Sequence, residues 1–180
     1  MATEVPGGYS LTLTSRLGLI LREIETLYGP HNKEYTILGI EFEENGPQIW
    51  YPGNNKNIII QLSTGAQFDL PMAIYQLSHE AVHLLTPSGG AHSLVLEEGL
   101  ATLFAWRYVK KVTGVDFRKR SSKKYYEAGV LVEKLLKSNP DFIIKARALT
   151  TELSNIDADI VRHLSPGTNL ADIQRLTEKF

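Results

Sequence analysis

His79 and His83 bracket the pentad His79-Glu80-Ala81-Val82-His83, whose residue types suit hydrolysis by a metal-activated water. On an α-helix two positions four apart project from the same face, so both imidazoles can reach one ion. Glu80, about 100° round, then points toward a water bound there. The chain has no cysteine, which excludes thiolate sites and thiol nucleophiles and leaves 5 His and 20 Asp and Glu as candidate ligands and bases. The expected ion is zinc, one per chain. Because a catalytic zinc takes three protein ligands and keeps a fourth position for water, the sequence must supply one more.

Two carboxylates follow at once, in Leu96-Glu97-Glu98-Gly99-Leu100-Ala101-Thr102. Glu97 and Glu98 diverge by about 100° on a helix, so normally only one of them faces the ion. Glu98 shares its face with Ala101, Thr102 and Ala105, small residues that let this helix approach the His79/His83 helix closely. Gly99 costs about 1 kcal/mol relative to Ala in a helix, and the same close approach accounts for it. These neighbours favour Glu98 as the third ligand, with Glu97 and His92 as alternatives.

HEAVH, a short loop and then LEEGLAT resemble the gluzincin metallopeptidases, whose third zinc ligand is the Glu of an E-G-x-A stretch on a following helix. The resemblance is specific over residues 79–102 and loose elsewhere. It implies His79, His83 and Glu98 as zinc ligands, Glu80 as general base, and a zincin-like fold. Glu97 stands where many members carry Asn, and the chain is as small as the family's minimal members. Further on, Tyr126-Glu127-Ala128-Gly129 is similar to the Y-x-x-G stretch that, in one branch of these enzymes, supplies a tyrosine hydroxyl to the tetrahedral intermediate. Attack of water on a carbonyl builds an oxyanion that needs such a donor. Tyr126 occupies the matching position, with ordinary packing under the helix as its structural reading. His163, four residues after Asp159, is the rival donor, set against a capped or surface histidine.

The elements that must position these groups can be read from periodicity. Residues 11–28 place Leu17, Ile20, Leu21, Ile24 and Leu27 at helical spacing, ending at Gly29-Pro30. Residues 35–42, 48–51 and 57–63 read as three strands separated by turns, forming a small meander or mixed sheet. Residues 57–63 (NIIIQLS) fit either a buried central strand or, as the gluzincin resemblance suggests, the rim strand that holds an extended peptide by its backbone. Helices are expected over 71–85, 93–112, 123–137, 140–149, 156–164 and 170–180. In the first of these, Ile74, Leu77, Ala81, Leu84 and Leu85 form the inward stripe. The fold class is therefore α+β, one domain with an N-terminal helix-plus-sheet half (1–86) and a helical C-terminal half (87–180), and the active-site helix at their junction.

Length, at 180 residues, suits one domain with its own core, and a formal charge of -1 argues against nucleic acid or an anionic membrane as partner. The run of cations over 107–124 reads as a solvated helix end and loop, or as a surface for an acidic substrate. No signal peptide or membrane span is recognisable, which gives a cytoplasmic expectation. The function expected is zinc-dependent peptide hydrolysis, leaning to endopeptidase because no clamp for a free amine is visible. The contrasting reading is a metal-binding interaction module without turnover. The amphipathic stretch 170–180 could cover the cleft of so small an enzyme.

Overall fold

The candidate ligands sit on two helices that the chain starts and stops with local signals. Asp69 caps the first, its Oδ1 accepting the Met72 backbone N–H at 3.0 Å, and Pro71 occupies the first turn, where no N–H is needed. This helix, α2 (Leu70–His83), is followed by α3 (Val95–Thr113), which stops at Gly114 in the left-handed conformation with φ 75°. The computed structural model describes residues 4–5, 8–9, 12–53, 56–87 and 93–180. Candidate ligand His92 and most of the loop 86–91 lie outside them.

Seven α-helices and two small sheets are present among the described residues. α1 (Leu13–Tyr28) begins at a capping box in which Thr12 and Ser15 satisfy each other's backbone N–H groups. It buries Leu17, Ile20, Ile24 and Tyr28, whereas Leu27 is 43% exposed. A short antiparallel pair, β1 (Glu4–Val5) and β2 (Gly8–Tyr9), precedes it. The main sheet contains β3 (Thr36–Glu43), β4 (Gln48–Trp50) and β5 (Asn57–Ser63) in the order β3-β5-β4. β5 runs parallel to β3 and antiparallel to β4, so the sheet is mixed. The mixed α+β composition agrees with the sequence reading.

β5 is central, which decides between the two readings of NIIIQLS: its edges are both paired, and β3 and β4 are the two edge strands, of which β4 lines the cleft beside the candidate ligands. Ile58, Ile60 and Leu62 alternate into the core, while Gln61 on the opposite face links Gln48 and Glu41 through amide hydrogen bonds of 2.6 and 2.7 Å. Beyond α3 come α4 (Lys123–Ser138), α5 (Phe142–Leu149), α6 (Ala158–Leu164) and α7 (Leu170–Leu176). The last is shorter than the periodicity of 170–180 predicts. After Thr177 the backbone turns from helix to strand-like pairing: the Val95 N–H donates to Glu178 O and the Phe180 N–H to Ser93 O, each at 2.9 Å. One hydrophobic cluster, from Leu17 to Leu176, joins the sheet side to the helical side.

Two contacts hold the site helices in place. Arg147 on α5 donates to Tyr28 O (2.8 Å), Pro30 O (2.7 Å) and Leu85 O (3.2 Å), tying together the C-terminal ends of α1 and α2, where carbonyls lack helical partners. On α3, Gly99 lies against the backbone of α4, so that a Cβ there would stand 2.4 Å from Ala128 O and 2.6 Å from Val132 Cγ2. The glycine is thus explained by a close helix approach, but the neighbour is α4 rather than the His79/His83 helix. Gly99→Ala is expected to destabilise the protein by about 1–3 kcal/mol, read as a fall in Tm of about 2–4 °C per kcal/mol. Gly167→Ala, which meets nothing within 4 Å, should leave Tm unchanged in the same calorimetric scan.

Candidate metal centre

His79 and His83, one turn apart on α2, face Glu98 on α3. His79 Nε2 lies 3.2 Å from Glu98 Oε2, and His83 Nε2 lies 3.6 Å from Glu98 Oε1. One donor atom from each of the three residues lies within 4.8 Å of the other two. Zinc bonds of about 2.0–2.2 Å at a tetrahedral angle place neighbouring ligand atoms about 3.3–3.6 Å apart, so both separations suit ligands of one ion. The group could hold a metal ion, and its imidazole-plus-carboxylate chemistry fits zinc.

The choice between the two glutamates follows from the helix geometry. Glu98 joins the histidine pair, while Glu97, 2% exposed, turns aside and accepts a hydrogen bond from His83 Nδ1 at 2.8 Å. That bond fixes the His83 ring so that Nε2 points at the shared centre, the role a carboxylate behind a metal-bound histidine performs. Glu97 is therefore not surplus: the two adjacent acids divide the tasks of facing the centre and orienting a ligand. Ser93 also hydrogen-bonds Glu98. The sequence pattern did not single out Ser93 or give Glu97 this orienting part.

Charge in this buried setting is finely balanced. Glu80, Glu97 and Glu98 converge on two imidazoles, and Glu80 is 6% exposed. The His83 imidazole is pushed up to about 10; burial opposes its charge, but the hydrogen bond it donates to Glu97 and the fields of Glu98, Glu80 and Glu97 outweigh it. Glu98 is brought down to about 2, because His79 and His83 outweigh the burial that would raise it. Glu80 is raised above the ordinary carboxylate range by burial, partly offset by His79 and His83 and reinforced by Glu98. Protonated His83 supplies positive charge among the three buried carboxylates, and a metal ion held by the group could supply it instead.

The centre opens into a cleft of about 230 Å³. Glu80 lines it beside the three candidate ligands, and Pro47, Gln48, Ile49 and Tyr51, at and around β4, line it as well. Tyr125, at the start of α4, completes it, its ring centroid 5.6 Å from that of His79. Burial, then Glu98, Glu80 and Tyr75, push the Tyr125 phenol up to about 12, which keeps its hydroxyl protonated as a donor.

Tyr126 is not brought to the cleft. It is 44% exposed and packs on Trp106, with ring centroids 5.7 Å apart. Tyr125 is three and seven positions before the buried Ala128 and Val132, whereas Tyr126 is three before Gly129, which faces Trp106, and four before Val130, 38% exposed. His163 is exposed on α6, which packs against α5 and α7. Asp159 pairs with Arg162 instead of fixing the His163 ring. His31 pairs with Glu25 at 2.8 Å, away from the cleft lining.

Comparison with known proteins finds no matching family model, no matching curated protein and no matching solved structure. The site must be read from its own geometry. Among the described residues no helix is long and apolar enough to cross a membrane. Elemental analysis of the zinc-incubated protein is expected to give about one zinc per chain. His83→Ala and Glu98→Ala should lose it, while Glu97→Gln should retain the metal with affinity lowered about 10–100-fold in competition with a chelator.

Proposed function

We propose that the protein is a zinc-dependent peptidase of gluzincin type, acting on peptide bonds within extended chains. The observation that carries this reading is that Glu80 lines the same cleft as His79, His83 and Glu98, and that the Tyr125 ring lines it too, beside His79. A module that only stored or sensed a metal would have no use for a second acid in the cleft beside Glu98. His79, His83 and Glu98 would hold the ion, and zinc supplies an acidified water and a polarised carbonyl when bound.

The chain's own residues account for the remaining requirements. Glu80 takes a proton from the attacking water as its oxygen bonds to the carbonyl carbon. It then returns that proton to the leaving amine nitrogen as the C–N bond breaks. Burial raises its affinity for protons, which favours its accepting one from the attacking water. Tyr125, kept protonated, donates a hydrogen bond to the oxyanion. β4 is an edge strand among the described residues, and Gln48 and Ile49 line the cleft, so an extended substrate would add to the sheet there as a further strand. This gives β4 the part that the family resemblance suggested for residues 57–63.

The test is cleavage of a peptide library by the zinc-loaded protein. Glu80→Gln should retain one zinc per chain and lose about 10²–10⁴-fold in kcat; cleavage by that variant at the wild-type rate overturns the mechanism. Tyr125→Phe is expected to lower kcat by about 10²–10³-fold with the metal retained, while Tyr126→Phe stays near wild type. The reverse ranking of the two tyrosines would transfer the oxyanion role to Tyr126.

A further inference from the structure

Beside the metal centre lies a second cavity, of about 290 Å³, separated from the first only by shared walls: Pro47, His79, Glu80 and Tyr125 line both. A group seated in it is thus held next to the candidate ligands. Its floor is apolar and preformed. Tyr75 and Phe117 stack with centroids 4.6 Å apart and an interplanar angle of 15°, and Met72 lies alongside. Phe117 is 2% exposed, so this floor is part of the core and does not need to be ordered by a ligand.

The charges round the cavity narrow what fits. Arg120 stands at the lining with its guanidinium 5.1 Å from the Phe117 ring centroid, anchored by Asp69 Oδ2 at 3.1 Å. Asp69 also caps α2, so the anchor is itself fixed. An acidic side chain would find Arg120 already paired and Glu80 in the opposing wall. A cationic one would bring its charge against Arg120. A neutral aromatic or large aliphatic side chain meets the stacked rings and the thioether without either penalty, and an aromatic one also offers its face to the guanidinium.

We propose that this cavity is the specificity pocket of the site and selects substrates with a large neutral, preferably aromatic, side chain next to the scissile bond. The proposal rests on the peptidase reading above and names the substrate class for it. It also gives a use to one residue of the cationic stretch 107–124: Arg120 acts there as a fixed rim that rejects like charge.

Binding to the zinc-loaded protein tests this without relying on turnover. Calorimetry would compare acetohydroxamic acid with 3-phenylpropanohydroxamic acid and with chains of similar length ending in a carboxylate or an ammonium group. The phenyl compound is expected to bind at least about tenfold more tightly than acetohydroxamic acid, as burial of a ring implies, and the two charged compounds no more tightly than it. Met72→Trp, which fills the cavity, should bring the ratio of phenyl to methyl affinity near one. Ser122→Trp, at the exposed N-cap of α4 on the cavity rim, should do the same if the first variant fails to fold. Equal binding of phenyl and methyl compounds to the wild type, or tightest binding of a charged one, overturns the pocket while leaving the metal centre standing. Failure of every hydroxamate to bind protein that carries zinc overturns the open centre and the pocket together.

Discussion

Three buried carboxylates gathered round two imidazoles set the terms for the rest of this structure. Glu80, Glu97 and Glu98 would be untenable at such low exposure without positive charge among them. Each neighbouring element contributes to keeping that charge in place. α2 supplies both histidines one turn apart, α3 supplies two acids whose directions differ, and Arg147 holds the end of α2 by its last carbonyls. The raised affinity of His83 for its proton and the depressed affinity of Glu98 are two sides of the same attraction. A divalent ion would satisfy the same field with fixed geometry.

The division of labour between Glu97 and Glu98 shows how little sequence separates a ligand from its support. The two residues are chemically identical and adjacent, and helical rotation alone sends one toward the centre and the other toward the back of His83. Single substitutions at either would remove acidic charge equally. Only Glu98 also removes a donor atom from the three-residue group.

Much of the fold was readable where periodicity was strong. α1, α3, α4 and the three strands of the main sheet begin and end within two residues of the expected limits, because caps, glycines and alternating apolar residues are local signals. α7 is the instructive exception. Its amphipathic pattern runs to Phe180, but residues 178 and 180 pair with 93 and 95, a contact 85 residues away that no local pattern encodes. Tyr125 and Tyr126 show the other limit. Spacing to Gly129 singled out Tyr126, yet Gly129 faces Trp106 and takes Tyr126 to that side, whereas the row from Tyr125 through Ala128 leads to Gly99 and the cleft. The second cavity, built from Met72, Tyr75, Phe117 and Arg120, had no signature at all, since its lining comes from segments distant in the chain.

The contact between Gly99 and Ala128 has a mechanical consequence. α3 meets α4 there at the Ala128 carbonyl and the Val132 methyl without a side chain of its own, so the two helices approach closely at that point. Glu98, one residue before the contact on α3, and Tyr125, three residues before it on α4, are spaced by the same seam, so a bulkier residue at position 99 would shift these two cleft-lining groups relative to each other.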